Sequence, residues 1–371
     1  MLVLKSKATE ILPTGSSLHS IQMLRAIAAL AVLLSHLSGS LSEFGYTPNP
    51  VPKFDYGAIG VDLFFVISGF IMVYTSERLF AKSNAPRVFF SRRVIRIFPL
   101  YWALTALAVF GWHGLTLPPF LTWKNVVGSF LLIPTTRPTG GVPPVIIQGW
   151  TLYYEMFFYA LFAIVIVFPR SLAVLTLTGL FVALVSASSF LTWTVPWSIW
   201  SAPIVYEFVF GMWIALLYRA GWRLHPGACV GLAVAAVTLT VIAHLQGLIN
   251  EEPLTHNYSR PLIWGVGAAA VVASFVLADV ARTVPATLRP LIVLGDASYA
   301  LYLFHSFIPF GLYAIHAPRI IDPAAYPFGY SALTAGLAIL SALLLNVFDG
   351  RFRGWLLAKT RLRPSLVAVP S

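Results

Sequence analysis

Of the 371 residues in the chain, 58% are hydrophobic and only 10% are charged. Soluble domains contain about 45–50% apolar and about 25% charged residues, so the composition excludes a soluble protein and indicates an integral membrane protein. The formal net charge of +11 does not indicate nucleic-acid binding, because the basic residues lie between apolar segments. The single cysteine, Cys229, excludes an internal disulfide and a cysteine-bound metal, and no metal site is expected.

Ten segments are apolar enough, at about 20 residues each, to cross a bilayer as helices. These segments are residues 22–40, 57–75, 96–112, 149–168, 171–190, 199–218, 227–245, 260–279, 290–311 and 327–348. With both termini in the cytoplasm, 19 of the 24 lysines and arginines fall on the cytoplasmic side, as the positive-inside rule requires. The sequence therefore predicts an all-α integral membrane protein, a bundle of about ten transmembrane helices with cytoplasmic termini.

The predicted membrane domain covers residues 21–350. The cytoplasmic tail before it, residues 1–20, lacks the apolar core and cleavage site of a signal peptide. A basic cytoplasmic tail, residues 351–371, follows the domain. Residues 119–133 are apolar but short and are interrupted by Lys124, so a helix at the membrane surface is expected there and an eleventh span is the alternative.

The first predicted span, "LRAIAALAVLLSHLSG", carries Arg25 and His36, which are 11 residues apart. At 100° per residue this spacing is 20° more than three turns, so the two side chains share one helix face. They lie about 16 Å apart along the axis. Ionisable residues inside a span indicate a functional site. The alternative is a snorkelling arginine with a hydrogen-bonded core histidine.

The second span, "GAIGVDLFFVISGFIM", contains Asp62, Ser68 and Gly69. Taken alone, Asp62 fits a helix cap, and the two small residues fit close packing between membrane helices. The next span begins with "SRRVIRIFPLYW", in which Arg93 and Arg96 are expected near a cytoplasmic helix start. They indicate either a positive-inside anchor or a phosphate site formed by guanidinium groups at a helix N-terminus.

The fourth span opens with "GWTLYYEMFFY", in which Trp150 marks the interface and Glu155 lies about one and a half turns inside. A carboxylate at this depth needs a partner. His36, at a similar depth, is the expected partner, and a structural contact with Tyr159 is the alternative. In the ninth span, Ser298, Tyr302 and His305 form one polar stripe that lines a cavity or makes a helix–helix hydrogen bond.

These elements together resemble the acyltransferase 3 family of integral membrane acyltransferases, which modify bacterial surface carbohydrates. The resemblance is carried by the arginine and histidine of the first span and, in order, by "GVDLFFVISGF", "RRVIRIFPLYW", "WTLYYEMFFY" and "SYALYLFHS". The opening "IQMLRAIAALAVLLSH" is most similar to the branch that acetylates exopolysaccharide. The resemblance implies a multi-pass protein of the bacterial inner membrane. It also implies acyl-CoA, in the first place acetyl-CoA, as co-substrate, with no bound cofactor.

By this resemblance, Arg25 and His36 match an essential pair of the family, Arg93 and Arg96 match its RxxR motif, and Glu155 matches its acidic residue. We expect the three arginines to bind the acyl-CoA donor, His36 to act as general base and Glu155 to orient its ring. Direct transfer and an acyl-histidine intermediate both remain open. Possible contacts to the sugar acceptor or the oxyanion come from five residues: Asp62, Ser68, Trp150, Tyr302 and His305.

The expected partners are the lipid bilayer, acyl-CoA, a carbohydrate acceptor and polysaccharide biosynthesis machinery. The alternative function is a proton-coupled transporter that relays protons through its buried ionisable groups. Against a transporter, the sequence has no inverted repeat and no matched pair of broken helices. GxSxG, P-loop and HExxH motifs are also absent, which removes sequence support for hydrolase and ATPase functions.

Overall fold

The computed structural model describes residues 3–5, 15–43, 51, 54–111, 117–249, 257–278, 285–315, 322–323 and 325–360. Residues 1–2, 6–14 and 361–371 of the two predicted tails lie outside this part of the chain. The described part is almost entirely helical, apart from one two-stranded antiparallel pair, β1 (Val3–Lys5) with β2 (Trp222–Leu224). This confirms the all-α class.

Within the described residues the chain forms 14 α-helices. In order they are α1 Gly15–Glu43, α2 Ile59–Thr75, α3 Ala85–Ala106, α4 Trp123–Leu131, α5 Trp150–Val165, α6 Arg170–Ser188, α7 Trp197–Trp200, α8 Tyr206–Arg219, α9 Pro226–Leu245, α10 Val266–Val276, α11 Arg289–Asp296, α12 Ser298–Phe304, α13 Phe307–Ala314 and α14 Pro327–Lys359. Short 3-10 turns precede α2, α5, α8 and α11, and π turns follow α3 and precede α10.

Within the described residues, six helical segments are long and apolar enough to cross a membrane. They are His19–Leu37, Asp55–Thr75, Ala85–Gly111, Arg170–Ser188, Pro226–Leu245 and Pro327–Lys359. The chain is therefore a multi-pass membrane protein. The total of about ten spans and the cytoplasmic position of the termini stay predictions.

The predicted span 290–311 is not one continuous helix, because the structure divides this region into α11, α12 and α13. Near the first break, Gly295 lies against the backbone of α1. A Cβ at Gly295 would lie only 2.0 Å from the carbonyl oxygen of Gln22. The sequence shows the glycine, but it does not show the tight approach to α1 that requires it.

The apolar stretch 119–133 forms only the nine-residue helix α4. At 1.5 Å per residue this helix is about 14 Å long, too short to cross the hydrocarbon layer of about 30 Å. Thr122 caps its N-terminus by accepting from the backbone N–H of Asn125. Trp123, Val127 and Leu131 are exposed along one side, as expected for a helix at the membrane surface.

The chain divides into two compact units. The first comprises Met1–Thr75 and Thr178–Leu343. In it, α2 and α8 pack with their backbones in direct contact: a Cβ at Gly69 would lie 2.1 Å from the Phe208 carbonyl oxygen, and a Cβ at Gly211 would lie 1.9 Å from that of Val66. Small residues allow this approach between membrane helices. The α2–α8 pair is therefore a closely packed element of the first unit.

The second unit comprises Ser76–Leu177 and Leu344–Ser371. Its core lies between α3 and α5, where the rings of Phe89 and Phe162 pack with centroids 4.9 Å apart. The indole of Trp102 donates to the carbonyl oxygen of Phe130 at 2.7 Å, which fixes α4 against α3. Aromatic packing thus holds the helices that carry the arginines and the acidic residue of the second unit.

Candidate active site

Arg25 and His36 lie on the same face of the continuous helix α1, as the spacing predicts. Ile27 and Leu34, 41% and 48% exposed, mark the opposite face. His36 follows Ile27 by nine residues, which places it 180° away around the helix. Arg25 and Val32, on the same face as His36, are buried. His36 itself is exposed, so its accessible surface opens on the side of α1 that carries the buried residues.

His36 is paired with a second histidine from another part of the first unit. The ring centroids of His36 and His305 are 4.9 Å apart, with the planes tilted by 53°. His305 is 3% exposed and has Tyr302 beside it, with ring centroids 6.3 Å apart. These two histidines form the histidine pair. Sequence reasoning placed both in functional stripes but did not bring them together.

A signal for the histidine pair was present in the sequence. His36 lies 14 residues into its predicted span and His305 lies 15 residues into its own. Both spans were predicted to run from the cytoplasm outward. At 1.5 Å per residue, equal offsets from the same side place two residues at nearly equal depth. Comparing the depths of titratable residues would therefore have suggested this contact.

Both imidazoles of the histidine pair bond to carbonyls of the preceding helical turn. His36 Nδ1 lies 2.9 Å from the Val32 carbonyl oxygen, and His305 Nδ1 lies 3.0 Å from that of Leu301. A carbonyl oxygen only accepts, so Nδ1 is the donor in both rings. In the neutral ring the lone pair is then on Nε2. Nε2 of His305 is buried and has no hydrogen-bond partner among the described residues.

Arg25 lies two turns below Val32 on α1 and is 8% exposed. Its guanidinium donates to the side-chain oxygen of Gln22 at 3.1 Å. The role of Arg25 in binding the acyl-CoA donor stays a prediction.

Asp62 is fully buried near the start of α2 and forms an ion pair that sequence reasoning did not identify. Arg260 donates from Nε to one carboxylate oxygen at 3.0 Å and from one terminal nitrogen to the other at 3.0 Å. Arg260 is 4% exposed. Both carboxylate oxygens of Asp62 are therefore bonded to Arg260 in the folded chain. Of the other predicted contacts, Ser68 is half-buried in α2, and Trp150 packs edge-on against Tyr154.

In the second unit, Arg93 lies against two aromatic rings. Its guanidinium carbon is 5.4 Å from the Phe89 ring centre and 5.8 Å from that of Tyr159. Tyr159 donates its hydroxyl hydrogen to Glu155, the contact named as the alternative. Glu155 is close enough to Arg93 for their charges to interact. The pairing of Glu155 with His36 stays a prediction, because the two residues belong to different units.

The predicted position of the RxxR motif at a helix N-terminus is wrong. Helix α3 begins at Ala85, with Pro86 in its first turn, so Arg93 and Arg96 lie more than two turns inside the helix. Pro86 suits a first turn because its missing N–H is not needed there. Pro99 lies in the interior of α3. The free N–H groups of the α3 terminus therefore do not reach the motif, and phosphate binding would rest on the guanidinium groups alone.

Comparison with known families decides the class of protein. A family model described as "Acyltransferase domain" matches residues 18–347. The chain belongs to this acyltransferase family. It is thus an enzyme that transfers acyl groups, which confirms the resemblance and favours the enzyme over the transporter alternative.

Two relatives are similar over most of this acyltransferase. The exopolysaccharide production protein ExoZ of Rhizobium meliloti (strain 1021) is 36% identical over 300 residues, 79% of this chain and 87% of that protein. The acyltransferase MdmB of Streptomyces mycarofaciens is 27% identical over 374 residues, 91% of this chain and 90% of that protein. No solved structure matches the chain.

Proposed function

We propose that this acyltransferase transfers an acyl group, in the first place acetyl, from cytoplasmic acyl-CoA to a hydroxyl of an exported polysaccharide or its lipid-linked precursor. Family membership supports the acyl transfer, and the similarity to ExoZ supports a polysaccharide acceptor. The observation that carries the mechanism is the fixed tautomer of His36, an exposed imidazole on the bundle face of α1.

His36 is the proposed general base. Because Nδ1 of His36 donates to the Val32 carbonyl, the Nε2 lone pair is available for the proton of the acceptor hydroxyl. As the proton transfers to Nε2, the hydroxyl oxygen bonds to the thioester carbonyl carbon. The carbon–sulfur bond then breaks, and the CoA thiolate leaves and takes up the proton from the His36 imidazolium, which restores the neutral base. The Nδ1 hydrogen bond to Val32 persists in the imidazolium, so the ring keeps its orientation throughout.

His305 is the proposed contact to the acceptor. Its Nε2 is a buried hydrogen-bond acceptor without a donor among the described residues, beside the imidazole of the proposed base. A buried polar atom of this kind is usually satisfied by a ligand or an ordered water. A second hydroxyl of the same sugar would supply the donor, so the histidine pair would recognise two hydroxyls of one acceptor.

Arg93, Arg96 and Arg25 are the proposed donor-binding residues. Guanidinium groups bind phosphate oxygens with paired, charge-assisted hydrogen bonds, and CoA carries several phosphates. Stacking on Phe89 and Tyr159 holds Arg93 in place, and Glu155 orients Tyr159. In this proposal the main role of Glu155 is in donor binding, where it positions Arg93 through Tyr159 in its own unit. Its predicted action on the ring of His36 is a separate proposal.

The proposed function is tested by mass spectrometry of surface polysaccharide from cells that lack the gene and carry His36→Ala or the unchanged gene. We expect His36→Ala to abolish acylation while the protein still inserts in the membrane. The matched control is His225→Ala, because His225 lies at the start of α9 and bonds only within its own turn in the described structure. Undiminished acylation with His36→Ala would contradict the mechanism.

The two chemical routes through His36 are separated by rapid quenching of the purified protein with radiolabelled acetyl-CoA. Label that stays on the protein and is absent from His36→Ala would establish an acyl-histidine intermediate. Direct transfer predicts no protein-bound label under conditions that give full turnover. Saturable acetyl-CoA binding that is lost when Arg93 and Arg96 are both changed to Gln would support the donor site.

A further inference from the structure

The ion pair between Asp62 and Arg260 has a third member, Glu207, which the proposed mechanism does not use. Glu207, near the start of α8, is fully buried, as is Asp62, and Arg260 is 4% exposed. We call these three residues the carboxylate cluster. It contains two carboxyl groups and one guanidinium, and these are the charges that reach Glu207 among the described residues. If both acids were ionised, the cluster would carry a net negative charge out of contact with water.

The two carboxyl groups differ in their hydrogen bonds. Both oxygens of Asp62 accept from Arg260. Neither oxygen of Glu207 accepts a hydrogen bond from a donor of the described residues, including the first-turn N–H groups of α8. The Glu207 carboxyl interacts with the carboxyl of Asp62, both through charge and through a side-chain hydrogen bond. Two carboxyl groups bond to each other only if one of them carries a proton.

The geometry points to one proton held between Glu207 and Asp62, bonded to Glu207, so that Arg260, the ionised Asp62 and the acid form of Glu207 make a neutral cluster. Burying an unpaired charge is strongly unfavourable, which explains why the cluster retains the proton. The proton also supplies the missing donor, from Glu207 to Asp62. This intramembrane proton site is independent of the proposed acyl transfer.

A metal cation would balance the charge equally well, but the site does not suit one. Sodium and larger cations need several oxygen ligands, whereas both oxygens of Asp62 are already engaged by a guanidinium that would repel a second cation. Glu207 is also tightly packed: a Cβ at Gly265 would lie 2.8 Å from its Cγ and 3.1 Å from one carboxyl oxygen. A covalently bonded proton needs no such space.

Infrared spectroscopy of the purified full-length protein in nanodiscs at neutral pH tests the proposal. A protonated carboxylic acid gives a C=O stretching band distinct from that of a carboxylate, and the band shifts in D2O. We expect this band in the unchanged protein and its loss in Glu207→Gln. The matched control is Glu77→Gln, which removes an exposed carboxylate that pairs with Arg170, and which should leave the band intact.

Asp62→Asn gives a second, sharper prediction. Asparagine at position 62 carries no negative charge beside Glu207, so Glu207 should ionise and the acid band should also disappear. Persistence of the band in Asp62→Asn would show an acid that is protonated by burial alone and would overturn the shared site. The proposal also fails if the unchanged protein lacks the band, if Glu207→Gln retains it, or if the isosteric Glu207→Gln does not fold.

Discussion

The first unit contains two groups of titratable side chains that are held in different ways. In the histidine pair, Nδ1 of each ring bonds to a backbone carbonyl of its own helix. Nε2 of each ring then remains for a ligand. In the carboxylate cluster, the charges of Asp62 and Arg260 are directed at each other across two distant segments. The histidine pair is therefore prepared for a ligand, whereas the groups of the carboxylate cluster bond to one another. The position of an ionisable residue within a predicted span does not by itself distinguish the two groups.

The largest expected effect comes from His36→Gln, assayed for acyl transfer in nanodiscs. Glutamine keeps polarity but cannot take up a proton at neutral pH, so we expect transfer to fall by about 100- to 10,000-fold. The apparent melting temperature should not change, because His36 is exposed and bonds only within α1 in the described structure. A parallel loss of melting temperature would instead place His36 among the structural residues.

Arg260→Ala should have the opposite effect. It should lower the free energy of unfolding while the activity per folded molecule changes less. Removing one partner of a buried ion pair costs about 3–5 kcal/mol, because the other charge stays buried. The measurement is the free energy of unfolding in mixed micelles. The control is Arg170→Ala, which removes a partner of a pair whose side chains are 30% and 45% exposed, and should cost at most about 1 kcal/mol. Equal losses in both variants would refute the distinction.

His305→Asn tests whether the second member of the histidine pair binds the acceptor. The substitution removes the buried Nε2 acceptor, so we expect KM for the acceptor to rise about 10-fold, the usual effect of one hydrogen bond to a buried group. KM for acetyl-CoA should stay constant. If both constants change together, or if kcat falls to the level of His36→Gln, His305 is not a contact to the acceptor alone.

The smallest effect is expected for Tyr159→Phe in the second unit. Phenylalanine keeps the ring beside Arg93 and removes only the hydroxyl that donates to Glu155. KM for acetyl-CoA should rise about 2- to 10-fold, as for a single lost hydrogen bond. Tyr159→Leu also removes the ring and should have the larger effect. The reverse order would show that stacking does not position Arg93.

Features that depend on local spacing could be predicted from the sequence. The shared face of Arg25 and His36 follows from helical periodicity, and the spans of α1, α2, α6 and α9 follow from length and hydropathy. The motif order also indicated the family. These predictions succeed because each depends on residues within one helix, or on patterns that do not require the tertiary contacts.

Features that depend on tertiary contact could not be predicted in this way. Asp62 and Arg260 are 198 residues apart, and no local pattern links them. Near the break between α11 and α12, Gly295 lies against the backbone of α1, a contact that no local pattern shows. The start of α3 was placed too late because hydropathy marks where lipid begins, whereas Pro86 marks where the helix begins.

Because Nδ1 of His36 is hydrogen-bonded to the Val32 carbonyl, the helical geometry of α1 sets the direction in which the imidazole points. An insertion of one residue between Arg25 and His36 would rotate the ring by about 100° relative to the arginine, whereas an insertion of seven would return it almost to its original direction. The helical phase between Arg25 and His36 is therefore constrained more strictly than the identity of the residues between them.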